Sequence, residues 1–352
     1  MSTARRFRAA IVCVLLLVVA DSATAQRRKV IVDQDARGPA TTDIQSILVF
    51  LQSPDVDVLG LTLTSGDQWV TEETLHTLRV AEIAGRTDVP VVPGAMYSLL
   101  NTTEEAQWWE SQYGQFRRPY PLRLRPPDAI PEFPEGKPTT KPLDEHAANF
   151  IVRMVRKYPH EVTVWAGGPL TNIALALKLD PEIATLAKEL VLMGGGFYVT
   201  DGGLQQGNSR REFNWWWDPE AVRITMSAPW KKITITPIDI SVKTRLSDEL
   251  KAEIGKADAP VARYLTQFSR ASYMWDEISA IAFLDPSIIT KQEELYVNID
   301  IDHGPSYGQT IFVGKDAKVP SWWKLATVQW DLDTTRFYKA YADLMKRPAP
   351  AR

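Results

Sequence analysis

The sequence is poor in the residues that carry metal, thiol and nucleotide chemistry. One cysteine, at position 13, occurs in 352 residues, and a lone cysteine excludes any disulfide within the chain. The four histidines lack the spacing of zinc ligands. The sequence also has no Walker loop, no GxGxxG dinucleotide turn and no Ser–His–Asp signature of a serine hydrolase. These absences disfavour zinc, nucleoside-triphosphate, dinucleotide and thiol chemistry.

The chain also has no strong excess of either charge. Its 40 lysines and arginines nearly balance its 43 aspartates and glutamates, for a net charge of −3. That balance gives no electrostatic basis for binding nucleic acid or an anionic membrane. The composition, 45% hydrophobic and 24% charged, is typical of a soluble globular protein with one large domain or two modest ones.

One long apolar run stands out, and it lies at the N-terminus. Residues 5–8 carry three arginines, Ala9–Ala20 is apolar, and the small residues Ala23–Ala25 follow. The run is too short to span a bilayer, and this order is typical of a cleaved secretory signal. We expect a signal peptide over 1–25, a mature chain from about Gln26 without a stable membrane anchor, and a periplasmic or secreted protein. Cys13 then leaves with the leader.

From Lys29 onward, short β-branched runs alternate with segments of helical length. The predicted strands are Val30–Val32, Val56–Thr64, Val89–Val92, Val162–Ala166, Leu190–Met193 and Ile233–Pro237. The predicted helices are Asp43–Leu51, Thr71–Ala84, Glu145–Lys157, Leu170–Lys178 and Pro219–Ser227. This rhythm predicts an α/β fold with a mainly parallel open sheet flanked by helices, around a Rossmann-like core.

The segment 97–142 departs from that rhythm. It holds eight prolines between Pro119 and Pro142, and its aromatic residues include Trp108, Trp109, Tyr113, Phe116 and Tyr120. A long loop in a compact domain is usually functional or disordered. We expect a single domain over 26–352 that carries this segment as an insertion. Two interpretations of the insertion stay open, a wall or lid of a pocket and plain surface packing.

Three carboxylates cluster where the first predicted strand gives way to a helix. Asp33, Asp35 and Asp43 can hold a hard cation such as Ca²⁺ or Mg²⁺, which prefers oxygen ligands. Alternatively, Asp33 and Asp35 merely end a strand and Asp43 caps a helix. The cation interpretation gains weight because α/β proteins place ligands in the crevice beyond the carboxyl ends of their strands, and both interpretations stay open at this point.

Four further turns present polar groups after a strand or before a helix. Asp67 can bind hydroxyls, and the glycine turn at Gly167 exposes a carbonyl that suits Ca²⁺. Glu212 and Asn214 offer the acceptors and donors that a polyol needs. Asp276 can complete a cation site.

Each of these turns also has a purely structural interpretation. Asp67 can belong to an ordinary β-to-α turn, and Thr171 and Asp276 can cap helices. Asp218-Pro219 is a standard helix start, with aspartate at the cap and proline at the first helical position. Trp215–Trp217 is interpreted as core in preference to a stacking wall.

Taken in order, these segments resemble the inosine–uridine preferring nucleoside hydrolase family, from Lys29 to about Met345. The residues that carry the resemblance are the Asp33-x-Asp35 turn with Asp43, Gly60–Gly66, Ala81–Gly85, Gly168–Asn172, Val191–Gly196, Glu212–Asn214, Asp218–Ala221 and Trp275-Asp276. The resemblance implies hydrolysis of a ribonucleoside, or a related ribosyl compound, to ribose and base, as in purine and pyrimidine salvage. It also implies a dimer or tetramer of identical chains.

The resemblance further assigns roles to individual residues. One Ca²⁺ is expected at the bottom of a pocket, with Asp35 also acting as general base on a water. Its implied ligands are Asp35, Asp43, Asp276 and the backbone carbonyl of Gly167. The implied substrate contacts are Asp67, Met193, Glu212 and Asn214.

Three positions depart from the family pattern. The opening turn is longer, and Thr42 stands where the family has an aspartate that binds ribose. Asp67 replaces an asparagine, and Trp275 replaces a histidine that is thought to protonate the leaving base. We retain Thr42 and Trp275 as substrate contacts, since a tryptophan can stack on a base although it carries no titrating proton. These departures leave open an alternative function, a nucleoside- or sugar-binding protein with little or no catalysis.

Overall fold

The computed structural model describes residues 27–114, 126, 129–198 and 211–348. The predicted signal peptide lies outside the described residues, as does the part of the insertion over 115–125. Within the described part of the chain, no helix is both long and apolar enough to cross a bilayer.

The described residues form a nine-stranded sheet in the order β3-β2-β1-β4-β5-β6-β9-β7-β8. The strands are β1 Arg28–Gln34, β2 Val56–Leu63, β3 Val91–Pro93, β4 Val162–Ala166, β5 Glu189–Met193, β6 Ile233–Thr236, β7 Ile289–Ile299, β8 Thr310–Gly314 and β9 Lys324–Leu332. Pairing is parallel from β3 through to β9, and β7 pairs antiparallel with both β8 and β9. The predicted α/β fold with a mainly parallel sheet is confirmed.

Helices connect the strands and cover both faces of the sheet. They are α1 Thr42–Gln52, α2 Val70–Ile83, α3 Thr103–Tyr113, α4 Ala147–Lys157, α5 Thr171–Leu179, α6 Ile183–Leu186, α7 Phe213–Trp217, α8 Pro219–Ser227, α9 Ile238–Ser241, α10 Asp248–Ile254, α11 Pro260–Phe268, α12 Trp275–Leu284 and α13 Thr334–Met345. Side chains alternate across the sheet along β1. Val30 and Val32 belong to the core that contains Phe50 of α1, whereas Ile31 belongs to the core that contains Phe150 of α4.

The structure corrects three of the local structural interpretations. Helix α1 begins at Thr42 and α12 at Trp275, so Asp43 and Asp276 lie in first turns and do not cap their helices. Thr171 is likewise the first residue of α5, where its hydroxyl donates a hydrogen bond to Asp218 at 2.7 Å. A carboxylate in a first helical turn interacts favourably with the helix dipole, yet it stays available to a ligand.

Two other interpretations are confirmed, and one needs refinement. Asp218 accepts a hydrogen bond from the Ala221 amide and Pro219 opens α8, as expected. Trp215–Trp217 is fully buried and belongs to the core. The insertion, however, contains helix α3, whose Trp109 is buried and donates to the carbonyl of Gly304 at 3.0 Å. One face of α3, with Ala106 and Trp109, therefore packs against the rest of the fold, while most of the helix is exposed.

Candidate active site

All ten residues that the sequence analysis selected line one cavity. The cavity encloses about 350 Å³ including its mouth. Its lining consists of Asp35, Thr42, Asp43, Asp67, Gly167, Met193, Glu212, Asn214, Trp275 and Asp276, together with Phe213 and Ile238. The carboxyl ends of β1, β2, β4 and β5 meet the first turns of α1, α7 and α12 there. This is the crevice in which open α/β sheets bind ligands.

The carboxylate of Asp35 is held by backbone on several sides. The amide of Asp67 donates to Asp35 Oδ2 at 2.9 Å, and the amide of Asp35 donates to Gln34 Oε1 at 2.9 Å. A Cβ atom added at Gly66 would lie 2.1 Å from Asp35 Oδ2, and one at Gly168 would lie 2.7 Å from Oδ1. Two glycines therefore bring the chain closer to this carboxylate than any other residue type allows.

Burial and mutual repulsion raise the pKa of the clustered carboxyls. The pKa of Asp35 lies well above its ordinary value because the group is desolvated and faces the charges of Asp43, Asp67 and Asp276. Desolvation and the charge of Asp43 likewise raise the pKa of Asp276. Desolvation and Asp67 raise the pKa of Asp43 to about 6, against the opposing effect of Arg37. The cavity thus concentrates acidic groups that a positive charge would stabilise in their ionised form.

The close contact at Gly66 gives a testable consequence. We expect Gly66→Ala to displace the Asp35 carboxylate and to lower kcat for a reaction at this site about a hundredfold, because misplacing a reacting group by about 1 Å costs that much. Gly304→Ala is the matched control, since a Cβ there has no neighbour within 4 Å. Steady-state kinetics of both variants measure the effect. Native-like kcat in Gly66→Ala would show that the position of Asp35 is unimportant.

The opposite wall of the cavity is built from the start of α7. The carboxylate of Glu212 accepts hydrogen bonds from the amides of Asn214, Trp215 and Gly195 at 2.9, 3.1 and 3.0 Å. Glu212 therefore caps α7 and fixes the orientation of Asn214. Asn214 Nδ2 in turn donates to the carbonyl of Gly167 at 2.6 Å. That carbonyl keeps a second lone pair for another partner.

Thr42 connects the two helices that carry the acidic residues. Its hydroxyl donates to Glu277 Oε2 at 2.5 Å and accepts from the amide of Asp276 at 3.2 Å. Burial raises the pKa of Glu277 to about 8. The Thr42 hydroxyl thus ties α1 to α12 while the residue still lines the cavity. The neighbouring Trp275 packs against Tyr273, with ring centroids 4.9 Å apart.

Three residues near the cavity were not selected from the sequence. Arg37 Nη1 lies 3.5 Å from Asp67 Oδ2. Glu73 is fully buried, and its carboxylate accepts a hydrogen bond from the amide of Gln68 at 2.8 Å. Asn172 donates to Asp33 Oδ1 and to the carbonyl of Leu63, both at 2.9 Å. Arg37 lies in the lengthened turn, and this departure from the family pattern is the sequence feature that could have pointed to it. Glu73 looked like an ordinary residue of a predicted helix. Asn172 ends the motif Gly168–Asn172, which carries the family resemblance, but its partners Asp33 and Leu63 lie in distant segments, so no local pattern indicates a role for it.

Asp33 does not line the cavity, and its carboxylate is held by side chains of neighbouring elements. Besides Asn172, the hydroxyl of Thr62 donates to Asp33 Oδ1 at 2.6 Å. Burial nevertheless raises the pKa of Asp33 to about 7. Asp33 lies within β1, two residues before Asp35, and connects β1 with β2 and α5.

A model of the family described as inosine-uridine preferring nucleoside hydrolase matches residues 30–339. The chain belongs to this family. Membership confirms the resemblance seen in the sequence and places the chain among hydrolases that act on N-glycosyl bonds.

Two curated relatives illustrate the range of the family. A probable uridine nucleosidase 2 of Arabidopsis thaliana is 32% identical over 281 residues, which cover 76% of this chain and 78% of the relative. The inosine-uridine preferring nucleoside hydrolase of Crithidia fasciculata is 27% identical over 81% of this chain and 87% of the relative.

Solved structures share the fold. The plant nucleoside hydrolase PpNRh1 superposes with a TM-score of 0.73 at 24% identity, over 91% of this chain and 99% of that one. A purine-preferring ribonucleoside hydrolase from Gardnerella vaginalis gives a TM-score of 0.72 at 21% identity, over 91% and 98% of the two chains.

Proposed function

We propose that this hydrolase uses Ca²⁺ to cleave the N-glycosidic bond of a ribonucleoside, or a closely related ribosyl compound, to free ribose and base. The observation that carries the proposal is the convergence of all ten selected residues on one cavity at the carboxyl end of the sheet. The names of the curated relatives, which include uridine and inosine–uridine hydrolases, favour uridine and inosine as first substrates.

The donor set of the cavity fits a hard cation. Asp35, Asp43 and Asp276 supply carboxylate oxygens and Gly167 a carbonyl oxygen, which are the ligands that Ca²⁺ prefers. Among the described residues, however, no three acidic, histidine or cysteine side chains already converge at metal-binding distances. The shared cavity and the raised carboxyl pKa values support the cation site, since repulsion between carboxylates that no cation neutralises opposes their convergence.

The residues of the chain supply the remaining chemistry. A cation bound there would lower the pKa of a water and orient it. Asp35, fixed by the Asp67 amide, takes a proton from the attacking water as general base. The hydroxyl oxygen bonds to C1′ through an oxocarbenium-like state, as in glycoside hydrolysis. The C1′–N bond breaks, its electron pair leaves with the base, and the base takes up a proton.

Other residues of the cavity position the sugar. We assign hydroxyl contacts to Asp67, Asn214 and Glu212, and an apolar wall to Met193. Because Glu212 also accepts hydrogen bonds from three backbone amides, it keeps Asn214 in place as well as contacting the sugar. Trp275 offers a flat surface at the cavity mouth on which a base can stack.

A panel of nucleosides tests the proposed activity. We expect the purified chain with Ca²⁺ to release ribose from uridine or inosine, and to release no sugar from non-nucleoside glycosides. Reducing-sugar and free-base measurements must agree mole for mole. Sugar release from non-nucleoside glycosides alone would reject the proposed substrate class.

One observation supports the alternative of a binding protein. The Thr42 hydroxyl is engaged by Glu277 and Asp276, so a direct hydrogen bond to ribose would have to compete with these contacts. Thermal stabilisation by nucleosides without any release of base would favour this alternative.

We also propose that the chain is exported and forms a homo-oligomer. If 1–25 is a signal peptide, expression in a Gram-negative host should give a periplasmic protein whose first residue lies near Gln26. Mass spectrometry of the intact purified chain measures this end. A cytoplasmic chain with an uncleaved leader would contradict the prediction.

A further inference from the structure

A second cavity opens directly beside the first. It encloses about 1360 Å³ including its mouth, and it shares Thr42 and Trp275 with the acidic cavity. The lengthened turn after β1 forms one side and residues 267–272 form the other. A substrate whose ribose lies among the acidic residues can therefore extend past Trp275 into this space.

The second cavity has the opposite charge character from the first. Its charged lining residues among the described part of the chain are Arg37 and Arg270, and no carboxylate contributes. The Arg37 guanidinium lies 3.5 Å from Asp67, which neutralises part of its charge. Arg270 is exposed, and its side chain makes no hydrogen bond or ion pair with any described residue. Within the described part of the chain, a ligand can thus engage Arg270 without displacing another partner.

The remaining lining suits a compact polar group held beside an aromatic surface. Ser269, Ser272 and Gln267 add hydrogen-bonding groups, and Phe268 and Trp275 add apolar surface. Guanidinium groups bind carboxylates and phosphates strongly because several N–H donors face the oxygens at fixed geometry. The acidic cavity therefore suits the sugar hydroxyls, and the neighbouring basic cavity suits a negatively charged group.

We propose that the second cavity binds an anionic substituent of the substrate, through Arg270 with help from Arg37. The preferred substrate is then a ribosyl compound that carries a negative charge beyond the ribose. Either a carboxylate on the base or a phosphate on the ribose C5′ supplies this chemistry. The inference rests on the proposed function, whose ribose site it extends.

Three substrates and two variants test the proposal. The substrates are uridine, uridine 5′-monophosphate and 6-carboxyuridine, and release of the free base is measured for each. Arg270→Gln removes the charge, and Arg263→Gln on α11 is the control, since Arg263 is exposed, pairs with Asp258 and lies outside both cavities. The readout is kcat/KM for each anionic substrate divided by kcat/KM for uridine.

We expect one anionic substrate to exceed uridine about tenfold in the native chain, as one hydrogen-bonded charge pair can provide. Arg270→Gln should abolish that advantage and Arg263→Gln should retain it. Added salt should also reduce it, since the arginine is exposed. The favoured substrate identifies the phosphate or the carboxylate as the source of the charge.

Two results would overturn the inference. Turnover of uridine with no advantage for either anion would reject it and leave the proposed function intact. If no substrate is cleaved, calorimetric titration measures the affinity for each compound. The anion site is supported if uridine 5′-monophosphate or 6-carboxyuridine binds more tightly than uridine and if Arg270→Gln removes that difference. Equal binding of all three rejects it.

Discussion

Asp35→Asn is expected to lower kcat for nucleoside hydrolysis at least a hundredfold, the usual contribution of a general base. Asparagine preserves the shape of the side chain but cannot accept the proton of the attacking water. The control is Asp316→Asn, an exposed position distant from the cavity. Single-turnover and steady-state rates with uridine measure the loss. A variant that retains more than a tenth of the native kcat would remove Asp35 from the proposed chemistry.

Stability measurements separate this effect from misfolding. Burial and the charges of Asp43, Asp67 and Asp276 raise the pKa of Asp35, so its ionised form destabilises the metal-free fold. The metal-free Asp35→Asn chain should therefore be at least as stable as the native chain at pH 8. A lower Tm for the variant at that pH would point to a structural role for the carboxylate.

The second large expected effect is a stabilisation of the fold by Ca²⁺ that depends on pH. In the metal-free chain the pKa of Asp43 is raised from 3.8 to about 6. A raised pKa contributes stability at low pH that is lost as the pH rises through the folded value, here between about pH 4 and pH 6. Ca²⁺ binds the ionised form, so its stabilising effect should grow over the same interval.

Thermal unfolding with and without Ca²⁺ measures this linkage. At pH 7.5 and a Ca²⁺ concentration about one hundred times Kd, we expect the Tm to rise about 5 °C or more, since ligand binding of this strength contributes about 2.7 kcal/mol. At pH 4.5 the shift should be much smaller. Asp276→Asn should weaken the shift at pH 7.5. A Ca²⁺ shift that is equal at both values would contradict the carboxylate site.

Local patterns explain why much of the fold was predictable. The core strands are short apolar runs and the long helices are amphipathic or buried, so their periodicity indicates β1, α1 and β4 within a few residues. The strands β7 to β9 gave no such signal. Strand β7 is exposed over much of its length and carries charged residues, because it lies near the antiparallel edge of the sheet.

The site was predictable where the family motifs lie at strand ends, and not where it depends on distant partners. Asp35 and Asp276 could be selected because each lies in a turn that follows a predicted strand or opens a predicted helix. The pairing of Thr42 with Glu277 joins residues 235 positions apart, so no local pattern indicates it. The ion pair between Arg37 and Asp67 likewise forms because two turns that are separate in the sequence pack against each other. The departures from the family pattern at Thr42, Asp67 and Trp275 therefore marked positions that line the cavity, without revealing their contacts.

The Ca²⁺ dependence of base release from uridine and inosine tests the proposed function most directly. The chain is stripped with a chelator, dialysed and titrated with Ca²⁺, with Asp35→Asn treated in parallel. The proposed function predicts a rate that rises from baseline to saturation in the native chain, while Asp35→Asn stays near baseline throughout. Full activity in the stripped chain, or no release of base from either nucleoside at any Ca²⁺ concentration, would contradict it.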